Sequence, residues 1–295
     1  PTKTNDGHRY VGDLYRLRVR NFVVSHWLPE FDEMKEANFL LVKDTLKALQ
    51  KLAAYHREKF DIPVVGITGS NGKTVVKEFL YQLLHNDFNI VRSPRSYNSQ
   101  LGVPLSVWQM NEKHTLGIFE AGISQPDEME RLQPIIAPTI GVITNIGEAH
   151  QENFISANQK CLEKLMLFKD CEALVYNGDD AFLARCVESA CLSHKALVWS
   201  RHDSEAPLFI ESIEKGTDQT VITCTLLGFT QVITIPFTDD ASIENVIQCI
   251  AVMAFLKPTS VSDVEKFRRL EPVDMRLDVK QGIHNCLLIN DTYNS

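Results

Sequence analysis

The stretch GITGSNGKT, Gly66 to Thr74, follows the apolar run Ile62, Pro63, Val64, Val65 and precedes Val75, Val76, Phe79, Leu80, Leu83 and Leu84, an apolar stripe at helical spacing. Strand, glycine-rich turn and helix in that order are the setting of a phosphate-binding loop. Backbone N–H groups at a helix N-terminus face an anion, and glycines let the backbone close on it. In such a loop Lys73 pairs with the outer phosphates and the Thr74 hydroxyl meets a magnesium ion. The spacing departs from the strict G-x-x-x-x-G-K-[ST] pattern, which requires glycine at position 67, where this chain has Ile67. The phosphate reading therefore needs support from the rest of the chain.

Working outward, the apolar runs VVGIT (64–68), LGIFEAG (116–122), IGVITNIG (140–147), EALVYNG (172–178) and KALVWS (195–200) alternate with helical segments. Short, continuously apolar strands alternating with helices predict an α/β fold, a central mostly parallel sheet with helices on both faces. Between about 207 and 236 the texture changes to the β-branched, turn-bounded runs PLFIES, TVITCTLL and QVITIPF, which predict a small antiparallel annex. Helices are expected near 242–256 and 260–269. Upstream, NFVVS reads as a short strand. Asp44 reads as the N-cap of a helix in which Leu46, Leu49, Leu52 and Ala53 follow at helical spacing and which ends near Phe60, ahead of Pro63.

Bulk properties narrow the function classes. The chain has 295 residues, 44% hydrophobic and 23% charged, with net charge −8. That length predicts more than one domain. No stretch is dense in Lys and Arg, so neither nucleic acid nor an anionic membrane is an expected partner. Seven cysteines, an odd number with no C-x-x-C pair, point to a reduced, cytoplasmic protein. No apolar run reaches the ~18 residues of a membrane span. Oligomeric state is not indicated. The chain opens without methionine and closes on LLINDTYNS, so flanking sequence is expected at both ends.

In parallel α/β sheets ligands bind at the carboxyl ends of the strands. Glu120 ends the run LGIF, beside the phosphate loop, where a carboxylate can hold magnesium or position a water. His150 follows IGVITNIG on the same expected edge. Lys164, in the helical CLEKLMLF, reads on its own as a surface lysine, and Arg276 and Asp291 carry no local signal.

Together these pieces resemble the Mur ligases, the ATP-dependent amide ligases of peptidoglycan synthesis. GITGSNGKT is similar to that family's own phosphate loop, and NSQLGVPLSV, FEAG, TNIGEAH, SIENVIQCIA, MRLD and LINDTYNS resemble further family motifs in the right order. With DGHRY and NDTYNS, the resemblance is strongest to the branch that joins D-alanyl-D-alanine to UDP-N-acetylmuramoyl-tripeptide. In some bacteria such a module is fused ahead of an alanine racemase.

The resemblance implies ATP and Mg2+ as cofactors, and the UDP-linked muramoyl peptide and D-alanyl-D-alanine as partners. Gly69, Ser70, Asn71, Gly72, Lys73 and Thr74 would hold the phosphates and Asn245 the adenine, with Arg276 and Asp291 approaching from the hinge side. Thr74 and Glu120 would hold one magnesium. His150 and Lys164, which stands 14 residues after it, would hold a second, the lysine carbamoylated so that it presents oxygens to a hard cation. Lys73, Glu120, His150 and Lys164 would form the catalytic set. Gly7, His8 and Asn98 would face the UDP-linked substrate.

Residues 1–61 would be the remnant of an incomplete N-terminal UDP-substrate-binding domain, 62–270 the central ATP-binding domain, and 271–295 the start of a third domain. Lacking most of that domain, the chain is expected to ligate poorly alone. Two other readings stay open. One is another ligase of the superfamily, such as a folylpolyglutamate synthetase. The other is a phosphate-loop nucleotide-binding module without ligase activity.

Overall fold

The structure, a computed structural model, describes residues 6–147, 153–226, 228–273, 278–281 and 286–290. The N-terminal segment holds α1 (Val11–Arg16), the parallel pair β1 (Asn21–Val24) and β2 (Asn38–Leu41), and α2 (Thr45–Arg57). Val11, Phe22, Val24, Phe31 and Met34 form a small core of their own here.

The rest is organised by a nine-stranded sheet. Its strands are β3 (Val64–Thr68), β4 (Ile90–Arg92), β5 (Leu116–Glu120), β6 (Ile140–Ile143), β7 (Ala173–Asn177), β8 (Ala196–Ser200), β9 (Leu208–Lys215), β10 (Thr220–Leu226) and β11 (Phe229–Ile235). The helices are α3 (Lys73–Leu84), α4 (Gly102–Val107), α5 (Glu128–Ile136), α6 (Ala157–Leu165), α7 (Ala181–Ser189), α8 (Asp240–Leu256), α9 (Pro258–Val261) and α10 (Glu265–Arg268). A separate antiparallel pair, β12 (Asp278–Gln281) and β13 (Leu287–Asn290), closes the described chain.

The strand order is β11-β10-β9-β8-β7-β6-β3-β5-β4. The parallel strands are buried on both faces, as their continuous apolar runs predict. Val65, Ile67, Leu116, Ile118, Ile140 and Val142 point to the layer with α3 and α8, and Val64, Phe119 and Ile143 to the layer with α2, α5 and α6. The chain leaves β3 toward β4 and β5, then crosses to β6 on the other side of β3. The carboxyl ends of β5, β3 and β6 therefore flank the point where the winding reverses, where an open α/β sheet forms a crevice.

Two expectations change in detail. The antiparallel strands are not set apart from the sheet but extend it. Trp199 pairs with Leu208 and Ser200 with Phe209, so β9 starts where β8 ends and needs no crossover helix. β10 and β11 then add as antiparallel hairpin strands.

In α2, Asp44 is the N-cap, accepting from Lys47 N at 3.0 Å, but the buried side is Gln50, Ala53 and Arg57. Leu52 is 47% exposed and Leu46 is also exposed. Arg57 decides the orientation of α2. Its guanidinium donates to Ile136 O (3.0 Å) and Ala137 O (3.1 Å), satisfying carbonyls at the end of α5, and to Phe60 O (2.6 Å) just past its own helix. Among the described residues no helix is long and apolar enough to cross a membrane.

Candidate functional site

The loop between β3 and α3 closes in the left-handed region twice, with φ 140° at Gly69 and 81° at Gly72, where side chains are strained. Space is closed as well. A Cβ on Gly69 would lie 1.9 Å from Thr144 Oγ1, and one on Gly72 2.5 Å from Asn245 Oδ1. Gly66 lies within β3, so the first glycine of the motif is a strand residue, and the loop proper is Gly69 to Gly72.

The segment after β6 grips this loop. Ser70 N donates to Asn145 O (2.9 Å), Asn71 N to Asn145 Oδ1 (3.1 Å), Gly147 N to Ser70 Oγ (2.8 Å) and Thr144 Oγ1 to Asn71 O (2.5 Å). Behind it the buried Gln248 of α8 donates to Thr144 O at 3.1 Å. Asn145 thus occupies the Ser70 and Asn71 amides. The seat for an anion falls on the first turn of α3, at the positive end of the helix dipole. Lys73 folds over this seat, donating from Nζ to Gly69 O (2.8 Å) and Ser70 O (3.1 Å).

One wall of the crevice is built by α3 and β5. Glu120 is fully buried. Its Oε2 accepts from Thr74 Oγ1 at 3.1 Å and, more distantly, from Asn98 Nδ2 at 3.5 Å, while Ser96 Oγ lies 3.2 Å from the Thr74 hydroxyl. Carboxylate and hydroxyl oxygens converging beside a phosphate seat are the hard donor set that suits magnesium. The structure thus brings Thr74 and Glu120 together and adds Asn98 and Ser96 beside them.

It also adds Lys77, a fully buried ammonium 3.0 Å from Glu120 Oε1. The signal for Lys77 was its position one turn beyond Lys73 and Thr74, on their face of α3.

The opposite wall is α6, capped by Ser156 Oγ accepting from Gln159 N at 3.1 Å. Lys164 is 4% exposed and donates to Gly69 O at 3.1 Å, so it is a floor residue of the phosphate loop and not the surface lysine its local sequence suggests. Burial, reinforced by the nearby Lys73 and Lys160, brings its ammonium down to about 7. One turn earlier, the buried Lys160 donates to Gly147 O at 2.5 Å. His150, Arg276 and Asp291 lie outside the described residues.

Asn245 is buried on α8 against Gly72, beside the phosphate loop. Gly7 and His8 lie in the N-terminal segment, where they were expected. There His8 Nδ1 sits 2.6 Å from Asp6 Oδ1 and Ser25 N donates to His8 Nε2 at 2.9 Å. Both ring nitrogens are thereby engaged, which fixes the Nδ1–H tautomer. The group Asp6, His8 and His26 has ligand atoms within 4.8 Å of one another. With no lone pair of His8 available, it reads as a clasp between the segment's start and the end of β1.

Residues 67–253 match the Mur ligase middle domain. Over 293 residues the chain is 28% identical to the UDP-N-acetylmuramoyl-tripeptide–D-alanyl-D-alanine ligase of Bacillus subtilis (strain 168), covering 98% of this chain and 62% of that protein. Among solved structures it resembles MurF from Acinetobacter baumannii, with TM-score 0.88 and 24% identity over 100% of this chain and 64% of that one. It also resembles the MurF ligase from Thermotoga maritima in complex with ADP, with TM-score 0.85 and 23% identity over 100% of this chain and 67% of that one. At these identities the structural likenesses speak for the fold. The chain spans somewhat under two thirds of the length of the Bacillus relative.

Proposed function

This chain belongs to the Mur ligase family, and on that premise we propose that the protein carrying it joins D-alanyl-D-alanine to UDP-N-acetylmuramoyl-tripeptide at the expense of ATP, in the cytoplasm. The observation that carries the reading is the convergence of Lys73, Thr74, Glu120 and Lys164 on the loop Gly69–Gly72. Residues 62–270 act as the ATP-binding unit, residues 1–61 belong with UDP-substrate binding, and residues 271–295 lead into a further domain.

A carboxylate lacks a good leaving group, so it must be activated before an amine can displace one of its oxygens. The tripeptide carboxylate attacks the γ-phosphorus of ATP, ADP leaves, and an acyl phosphate forms. The dipeptide amine then attacks the acyl carbon and inorganic phosphate leaves as the amide forms. In this chain the α3 N-terminus seats the phosphates, and Lys73 exchanges its loop carbonyls for the outer phosphate. Its charge offsets the repulsion between the two anions as they meet. Bound magnesium would add Lewis-acid neutralisation of the phosphate oxygens. Thr74 and Glu120 would hold it, with His150 and Lys164 serving a second ion and Lys164 carrying a carbamate.

Asn98, tied to Glu120, faces the UDP-linked substrate together with Gly7 and His8 from the N-terminal segment. Asn245 meets the adenine. Arg276 and Asp291 approach the nucleotide from the side of the third domain.

The test is phosphate release from ATP and magnesium by the natural protein carrying this chain. Release that requires both the UDP-linked tripeptide and D-alanyl-D-alanine, and is lost in Lys73→Ala, supports the reading. ATP hydrolysis indifferent to both substrates overturns it. An intact-mass measurement showing unmodified Lys164, with activity indifferent to bicarbonate, counts against the carbamate.

A further inference from the structure

Lys77 is the one fully buried lysine of α3, and the residues around it show what it holds. Its ammonium lies 3.0 Å from Glu120 Oε1 and 3.1 Å from Glu78 Oε1, and it donates to Ser93 O at 2.8 Å and to Arg95 O. Two of these contacts reach the strand-end carboxylate and the helix. The other two reach the turn after β4, where Arg95 sits at φ 48° in the left-handed region and the next residues are Ser96 and Asn98. Ser93 closes the ring from the other side, since its Oγ accepts from Glu120 N at 3.1 Å.

A carboxylate has two oxygens and, if unrestrained, rotates between them. Here Oε1 faces the ammonium as an ion pair, so Oε2 is the oxygen turned toward Thr74 Oγ1 and Asn98 Nδ2. An arginine would overfill a site with no exposed surface, and a shorter side chain would not span from α3 to the β4 turn.

We propose that Lys77 is a positioning residue that presets Glu120 Oε2 for a divalent cation and ties that carboxylate to the turn carrying Ser96 and Asn98. It touches neither nucleotide nor substrate and works through Glu120 and the two carbonyls. The proposal rests on the magnesium–nucleotide part of the function proposed above, not on the identity of the ligated peptides.

Binding of a fluorescent ATP analogue to the chain, titrated with Mg2+ and repeated in EDTA, tests it. In Lys77→Met the Mg2+ concentration that half-maximally strengthens binding is expected to rise by about tenfold to a hundredfold, the usual cost of losing a ligand's supporting contact, while binding in EDTA changes less than about twofold. Glu78→Gln, which removes the other carboxylate beside Lys77, is expected to leave the Mg2+ midpoint in place. A folded Lys77→Met with an unchanged midpoint overturns the proposal, as does an equal shift in Glu78→Gln, which would mark a generic charge effect.

If Lys77→Met does not fold, the 15N resonance of the Lys77 ammonium in the unaltered chain replaces it. A signal that shifts with Mg2+ and nucleotide together but not with nucleotide in EDTA supports the role, and one that is indifferent overturns it. The outcome is separable from the ligase assay. A shifted midpoint without substrate-dependent phosphate release would retain Lys77 as a positioning residue and remove the ligase reading.

Discussion

The two walls of the crevice bury lysine in opposite ways. On the α3 wall, Lys77 is fully buried against the Glu120 carboxylate, with Glu78 and two carbonyls completing its shell. On the α6 wall, Lys164 is almost as deeply buried, yet its neighbours are the Gly69 carbonyl and two further ammoniums, Lys73 and Lys160. Among the described residues no carboxylate pairs with it.

A buried charge with a counter-ion is a fixed structural element, whereas one without is costly and tends to neutralise. The α3 wall is therefore set before any ligand arrives. On the α6 wall Lys164 is instead buried beside other cations, which favours its neutral amine, the form from which a carbamate is made.

The largest test of this contrast is Glu120→Gln. It leaves the Lys77 ammonium buried beside a neutral amide, and removing one partner of a buried pair costs roughly 3–5 kcal/mol. With Glu78 still 3.1 Å away, the low end, about 3 kcal/mol, is expected in urea unfolding. A loss below about 0.5 kcal/mol would mean that the α3 wall is not held by this pair.

Next is Lys164→Met, measured without nucleotide or metal. The Lys164 pKa lies at about 7 in the folded chain, against an ordinary value of 10.5. Between those values the unfolded state binds the extra proton, so this residue makes stability rise with pH. Below pH 7 both states are protonated and the full cost of burying the ammonium is present. Lys164→Met is therefore expected to stabilise the chain at pH 7 by roughly 2–4 kcal/mol and to flatten the rise in stability between pH 7 and 10. Urea midpoints across that range that stay parallel in the two proteins would place the charge elsewhere.

The smallest effect concerns the bridge between the walls. Ser70→Ala removes the hydroxyl that accepts from Gly147 N at 2.8 Å. About 1 kcal/mol of stability is expected to be lost, with faster amide exchange at Gly147. Unchanged exchange there would show that the Asn145 contacts suffice.

How much of this was legible follows from which interactions are local. The alternation of buried strands and helices and the turn from Thr68 into Lys73 are written in residues a few positions apart. The capping of α2 by Asp44 is equally local. The orientation of α2 was not legible. Leu46 and Leu52 stand at helical spacing yet stay exposed, because Arg57 turns the helix so that its guanidinium meets the end of α5, some 80 residues along the chain.

For the site, Lys73 and Thr74 were read from the glycine-rich turn that opens a helix and Glu120 from its place at a strand end. Lys164 was suspect only through the family resemblance, because nothing in CLEKLMLF tells a buried lysine from a solvated one. Lys77 and Ser96 were missed because each owes its role to a partner distant in the chain, Lys77 to Glu120 and Ser96 to Thr74, 22 residues before it. For His8 the motif gave no sign that its two ring nitrogens would meet Asp6 and Ser25, the latter 17 residues along the chain.

By itself, then, the sequence determined the sheet, the phosphate loop and the chemical types gathered beside it, since periodicity and helix-terminus geometry act over a few residues. Tertiary structure decided which charges are paired. The winding reversal around β3 brings β4, β5 and β6 onto one edge, so Lys77 acquires a carboxylate while Lys164 acquires other lysines. Coulomb interactions at 3 Å in a dry interior depend on that proximity, and chain spacing does not encode it.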